Sequence, residues 1–254
     1  MRSGYPASLV HRAVATGGLR PGDPVVEIGP GTGKLTRELA GRGLVVDAVE
    51  PDPDLIEVAR RIVPESSVRF HIATFEDVEL PPGAFRGVFA ATSYHWIDPV
   101  VGWAKVASML EPGATFALLS HVGGTRDQLD EELVEVWRDV AGSTWEPVDD
   151  ETLWAGVESR TGNVSELWSW LTRHELARPE AATLFRDVEL SREAVERTLS
   201  VEDYLARVRT SNNYLHLTPD DQRRLERGLG EAVDAHGGVY RASHFAVLVT
   251  ARRV

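Results

Sequence analysis

Residues 25–36 read VVEIGPGTGKLT, from Val25 to Thr36. An apolar run enters an acid, meets three glycines at alternate positions, and leaves into a helix-like stretch. That order predicts a strand, a tight turn and a helix start. Gly29, Gly31 and Gly33 permit positive φ and let a ligand approach the main chain closely. Thr32 is the residue expected to cap the helix, whose N-terminal N–H groups would face the turn. The next apolar run, Leu44–Val49, ends at Glu50. A carboxylate so placed can hold the two hydroxyls of a ribose. The stretch therefore predicts a site for a nucleoside-bearing cofactor.

The glycine spacing separates three cofactor classes. A phosphate-binding loop needs four residues between its glycines and a Ser or Thr after the lysine. Gly29 to Gly33 is one residue short, and Leu35 follows Lys34. A dinucleotide fingerprint starting at Gly29 needs glycine where Lys34 stands, and one starting at Gly31 needs it where Thr36 stands. The pattern that fits is acid-x-G-x-G-x-G, from Glu27 to Gly33.

With that pattern the chain resembles the class I S-adenosylmethionine (SAM)-dependent methyltransferases, bacterial small-molecule type. The resemblance rests on VEIGPGTG, on Glu50 in VDAVEP, on ATFED, on Tyr94-His95-Trp96 and on LEPG at Leu110–Gly113, in that order. It covers residues 1–120. It implies cofactor contacts at Glu27, Gly29, Pro30, Gly31, Gly33, Glu50, Thr74, Phe75, Glu76 and Ser93. Arg2 and Tyr5, in RSGYP, look like the opening of the same group and join that set. Glu27 would meet the SAM amino group, and Phe75 N–H an adenine nitrogen. Thr74 replaces the acid often found at its position, so Glu76 is the alternative contact for the exocyclic amine. His95 is the candidate general base, with Tyr94 beside it, because imidazole titrates near neutrality. His121, His216 and His244 are lesser candidates. The product would be S-adenosylhomocysteine.

Across the first 120 residues strand and helix patterns alternate, which predicts a doubly wound, mainly parallel α/β sheet; the resemblance implies seven strands, the last two a closing hairpin. Strands are expected at Val25–Ile28, Leu44–Val49, Val68–Ile72, Gly87–Thr92 and Thr115–Ser120. Ligands in such sheets sit beyond the carboxyl ends of the strands. Residues 1–120 are read as the SAM-binding core and 121–183 as a helical cap inserted after the fifth strand, one wall of an acceptor pocket. Residues 184–254 would complete the sheet. The middle segment holds Trp145, Trp154, Trp168 and Trp170. Trp168 and Trp170, two apart, cannot share one helix face.

Composition narrows the function classes. A net charge of −12 argues against broad nucleic-acid binding, and Arg160, Arg173 and Arg178 are scattered along the chain. The chain has no cysteine, which removes thiolate catalysis and disulfides, and no histidine pair has helical metal-ligand spacing. No apolar stretch reaches the roughly 20 residues that span a bilayer. No leader-like segment opens the sequence, so a cytoplasmic location is expected. The expected activity is methyl transfer to an O, N or C nucleophile of a small molecule. The alternatives are a non-catalytic SAM-binding regulator and an RNA-base methyltransferase. Monomer and homodimer both stay open.

Overall fold

The computed structural model describes residues 4–63, 67–123, 127–142 and 148–254. Arg2 and Trp145 lie outside them. The first helix, α1 (Ala7–Thr16), precedes β1 (Pro24–Ile28), α2 (Lys34–Ala40), β2 (Val45–Glu50), α3 (Pro53–Arg60) and β3 (Val68–Ile72). Then come β4 (Phe85–Ala91), a single 3-10 turn at Tyr94–Trp96, α4 (Pro99–Met109) and β5 (Leu110–Val122). The second half runs α5 (Gln128–Ala141), α6 (Asp150–Glu158), α7 (Val164–Thr172), α8 (Ala181–Leu184), β6 (Phe185–Ser200), α9 (Val201–Val208), α10 (Asn212–Leu215), α11 (Pro219–Ala235) and β7 (Val239–Arg253). The strands form one sheet in the order β3-β2-β1-β4-β5-β7-β6.

Neighbouring strands from β3 to β5 are parallel. The apolar runs of β1, β2, β4 and β5 are buried on both faces, as a covered parallel sheet requires, whereas the outer strand β3 is only partly covered. Register sets the functional end. Ile28 stands level with Val49 and with Ala90, and Glu50 with Ile72. The chain therefore leaves β1, β2, β3 and β4 at one edge, and the turns after them converge there.

Several helix starts follow the sequence signals. Asp52 caps α3 by accepting from Asp54 N at 2.9 Å, with Pro53 in the first turn. Asp98 and Pro99 repeat the arrangement at α4. Ser200 caps α9 and Thr218 caps α11. Thr32 does not cap α2: Gly33 is its N-cap, at φ +78° in the left-handed region, with no side-chain cap bond. The turn runs one residue further than expected because the third glycine, rather than a hydroxyl, makes the entry. The fifth strand starts at Leu110 rather than Thr115, because Pro112-Gly113 sits within the strand's span instead of ending a loop.

By compactness the chain divides into a sheet unit, residues 4–122, 156–193 and 246–254, and a helical unit that includes 123–155 and 194–245. Residues 121–183 are thus shared between the two. In the helical unit Leu129, Leu133, Val208, Tyr214, Leu225, Leu229 and Val233 form a core among α5, α9, α10 and α11. Within it Glu226 joins Arg209 and Tyr214. In the sheet unit Trp103 of α4 is fully buried, edge-on to Tyr94 and Phe116, and its indole N–H donates to Leu176 O at 2.9 Å.

Replacing Trp103 by Phe strands that buried carbonyl. Trp103→Phe should lower stability by about 2 kcal/mol, most of it the lost hydrogen bond. Urea unfolding measures it, and an unchanged midpoint would refute the anchoring role.

Candidate active site

Three glycines shape the turn between β1 and α2. Gly29, Gly31 and Gly33 have φ of +65°, +54° and +78°. Two of them are also packed tightly. A Cβ on Gly29 would lie 2.5 Å from Ser93 Cβ, and one on Gly33 would lie 2.9 Å from Ala59 Cβ on α3. Gly31 differs, because a Cβ there would meet nothing within 4 Å. The outer glycines thus seat the turn against the protein, and the middle one faces open space where a ligand can approach. Gly33→Ala should cost about 2–3 kcal/mol, from left-handed strain plus overpacking. Gly31→Ala should cost about 1 kcal/mol, strain alone. Equal losses in thermal or urea unfolding would contradict this division.

Two carboxylates flank the turn. Glu50, at the end of β2, accepts from Gly31 N–H at 3.0 Å and from Asp52 N–H at 3.2 Å. Both carboxylate oxygens are thus fixed beside the open glycine. Glu27 is 1% exposed, and its Oε2 has no hydrogen-bond partner. Thr36 on α2 is equally buried and its hydroxyl is likewise unpartnered. Burial drives the Glu27 pKa up to about 7, with the Glu50 charge adding to the rise and neighbouring Thr36 opposing it. A buried carboxyl this perturbed, unmatched by any cation of the protein, is a candidate for binding an external one.

The remaining expected residues spread around the same edge. Ser93 donates from Oγ to Ile28 O, tying the end of β4 to the start of the glycine turn. Pro30 is buried in the turn. After β3, Thr74 is exposed and holds Asp77 through its hydroxyl, at 2.7 Å to Asp77 Oδ2. Phe75 is buried with Lys105 Nζ 5.6 Å from its ring centre, and Glu76 Oε1 accepts from Asp98 N at 2.8 Å. Tyr5 reaches the end of β4 from the N-terminal side. Its hydroxyl bonds Thr92 Oγ1 and donates to Leu119 O, and its ring stacks on His121 at 4.7 Å. Thr92 has φ +55°, rare for a β-branched residue.

Tyr94, His95 and Trp96 diverge. Tyr94 points into the core against Trp103 and Phe116, with its hydroxyl unpartnered and burial holding its pKa well above the ordinary phenol value. Trp96 is 68% exposed. His95 lies between these extremes, and its ring stacks on His174 at 4.6 Å with the planes 9° apart. Partial burial lowers the His174 pKa, favouring neutral imidazole. His174 and Thr36 were missed at the sequence level. Nothing local marks His174, but Thr36 was visible as a polar residue beside the inward-facing Leu35.

A family model described as a methyltransferase domain matches residues 26–118. Over these residues the chain is thus similar to a methyltransferase domain. An uncharacterized methyltransferase of Mycobacterium bovis is 34% identical over 127 residues, which is 50% of this chain and 49% of that protein. The ribosomal RNA small subunit methyltransferase A of Pseudomonas putida is 29% identical over 140 residues, 52% of this chain and 47% of that one. The chain thus spans about half the length of these relatives. A solved candidate type II methyltransferase from Anaeromyxobacter dehalogenans shares the fold over 100% of this chain and 97% of its own, with a TM-score of 0.66 and 20% identity. Among the described residues of the chain no group of three or more His, Cys, Asp or Glu could hold a metal, and no helix is long and apolar enough to cross a membrane.

The Glu27 shift gives the protein a pH signature. The carboxyl holds its proton more tightly when folded than at its ordinary value of 4.5. Between pH 4.5 and about 7 the folded state binds more protons, so stability falls as pH rises through that window. The full loss is roughly 3 kcal/mol above pH 7. Glu27→Gln should remove it. The variant should gain on the parent between pH 5 and pH 8 in urea unfolding; a difference that does not change with pH would show that Glu27 does not titrate there.

Proposed function

We propose that this protein is a SAM-dependent methyltransferase that methylates an O, N or C nucleophile of a small molecule. The observation that carries the reading is the buried Glu27 carboxyl, whose Oε2 has no hydrogen-bond partner, behind an open glycine turn that Glu50 also borders. The residues fit the cofactor. Glu27 would receive its ammonium group, Glu50 its ribose hydroxyls, and the Thr74–Glu76 segment its adenine. When bound, SAM supplies a sulfonium methyl that needs no further activation.

The chain's own residues then have limited chemical work. The glycine turn and the two carboxylates fix position, which converts an encounter in solution into an aligned approach. His95 is the candidate base at its imidazole nitrogens, and the stack with His174 restrains its ring. Tyr94, buried and kept protonated, can position but not accept a proton. A small acceptor is favoured over RNA by the net charge of −12. The Ser93-Tyr94-His95-Trp96 segment also lacks the Asn/Asp-Pro-Pro-Tyr/Phe arrangement often carried by enzymes of this class that methylate amino groups of bases or glutamine.

Glu50→Ala should weaken SAM binding by about 1.5–3 kcal/mol, the scale of hydrogen bonds to a charged group, while the protein stays folded. Calorimetry with SAM and S-adenosylhomocysteine measures this, with NAD and ATP as controls. Tight NAD binding without SAM binding would end the assignment. Formation of S-adenosylhomocysteine across a metabolite panel separates catalysis from mere binding, and transfer to RNA alone would replace the acceptor class. SAM affinity should also rise with pH up to about 7, as Glu27 ionises, and Glu27→Gln should flatten that rise.

A further inference from the structure

Within the sheet unit, α7 carries a second polar construction away from the glycine turn. Trp168 and Trp170 do face differently: Trp168 is buried, whereas Trp170 is only partly covered. The Arg160 guanidinium carbon lies 4.3 Å from the Trp170 ring centre, and that of Arg173 lies 4.5 Å from it. Two arginines far apart in sequence thus converge on one indole.

Three local choices build this platform. Gly156 sits inside α6, where a Cβ would come within 2.2 Å of the Trp170 ring, so only glycine admits the indole. Glycine in a helix interior costs about 1 kcal/mol relative to alanine. Arg173 caps α7 at φ +60°, a position that glycine or asparagine takes more easily. Arg160 is fixed by donating from Nη1 to Gly156 O at 2.6 Å and to Ser159 Oγ at 2.9 Å. Each choice favours holding the two guanidiniums in place over local helix stability.

Among the described residues, neither arginine pairs with a carboxylate within 4.0 Å. Arg42, Arg61, Arg69, Arg138, Arg186, Arg209, Arg223 and Arg224 all pair with acids within 4.0 Å. In a chain with 39 acids against 27 bases, Arg160 and Arg173 instead rest on an aromatic face. Stacking on a ring leaves the Arg173 N–H fork available for a planar or tetrahedral oxyanion, while Arg160, with Nη1 committed to Gly156 O and Ser159 Oγ, offers its Nη2 and Nε groups. The platform also connects with the candidate active site, because Arg173 is followed by His174, whose ring stacks on His95.

We propose that Arg160, Trp170 and Arg173 form a binding site for an oxyanion, carboxylate or phosphate, carried by the small-molecule acceptor. The proposal gives the acceptor a chemical class and rests on the methyltransferase reading for its role, though not for its existence. Citrate and inorganic phosphate, titrated separately into the full chain without SAM, are the probes. The Trp170 indole N–H and the Arg173 Nε–H resonances should shift saturably with one probe or both, and the stronger one names the anion type. Arg173→Gln and Arg160→Gln should each weaken binding at least tenfold and leave SAM affinity unchanged. Arg173→Lys, which keeps the charge without the fork, should fall between. Absence of saturable shifts at tens of millimolar, or equal binding by the Gln variants, would overturn the site. Salt-dependent retention of an RNA oligonucleotide, abolished by the same variants, would overturn the small-molecule ligand. Anion binding as expected, with no methyl transfer to any anionic metabolite, would leave the site standing and remove the methyltransferase reading.

Discussion

The chain between β1 and α2 must turn sharply while passing between Ser93 on one side and Ala59 on the other. Only glycine satisfies both demands at Gly29 and Gly33, since each combines positive φ with a neighbour that a methyl group would strike. Once the turn is seated, its middle residue is left facing outward, and its N–H meets Glu50. The same seating fixes the start of α2, which sets Thr36 beside Glu27 in the interior. The end of β4 is then bound to the turn through the Ser93 hydroxyl. The positions of both acids and of the β4 terminus all follow from the space that two glycines leave empty.

That seating carries an energetic cost. Glu27 is kept where burial disfavours its charge and its Oε2 has no hydrogen-bond partner, and the result is a carboxyl with its pKa raised to about 7. A protein selected for stability alone would do better with glutamine or an apolar residue there. The destabilised acid makes sense if a cation completes it, because the ligand then recovers free energy that folding has given up. The stability penalty and the binding preference are the same quantity seen from two states, linked by the proton that Glu27 holds or releases.

How legible this was in the sequence depended on the range of the interaction. The glycine turn, Glu50, and the caps at Asp52, Ser200 and Thr218 are local, and their residue types announced them. The sheet followed from alternation, apart from its fifth strand, where Pro112-Gly113 mimicked a break. Thr32 was misread because a hydroxyl before a helix usually caps it, whereas here the neighbouring glycine took the left-handed entry. Tyr94 was read as facing the site because it follows a strand end, but the 3-10 turn rolls it into the core and leaves Trp96 outside. The His95–His174 stack and the meeting of Arg160 with Arg173 are tertiary. Trp170 and Arg173, three apart on one helix, were the only part of that cluster open to a helical reading.

The functional edge of the sheet unit is held largely by stacked rings and main-chain bonds. Tyr5 lies on His121, His174 lies on His95, and Trp170 lies between two guanidiniums. Such contacts restrain the orientation of ring and guanidinium planes. Thr92 shows the accompanying strain: its left-handed main chain is held by the Tyr5 hydroxyl at the point where β4 delivers Ser93 to the turn. Strain of this kind persists only where the surroundings over-determine it. For displacement at a carbon that arrives already activated, alignment is the main thing a protein can add. An edge that fixes ring planes and leaves proton-accepting groups few is suited to that task.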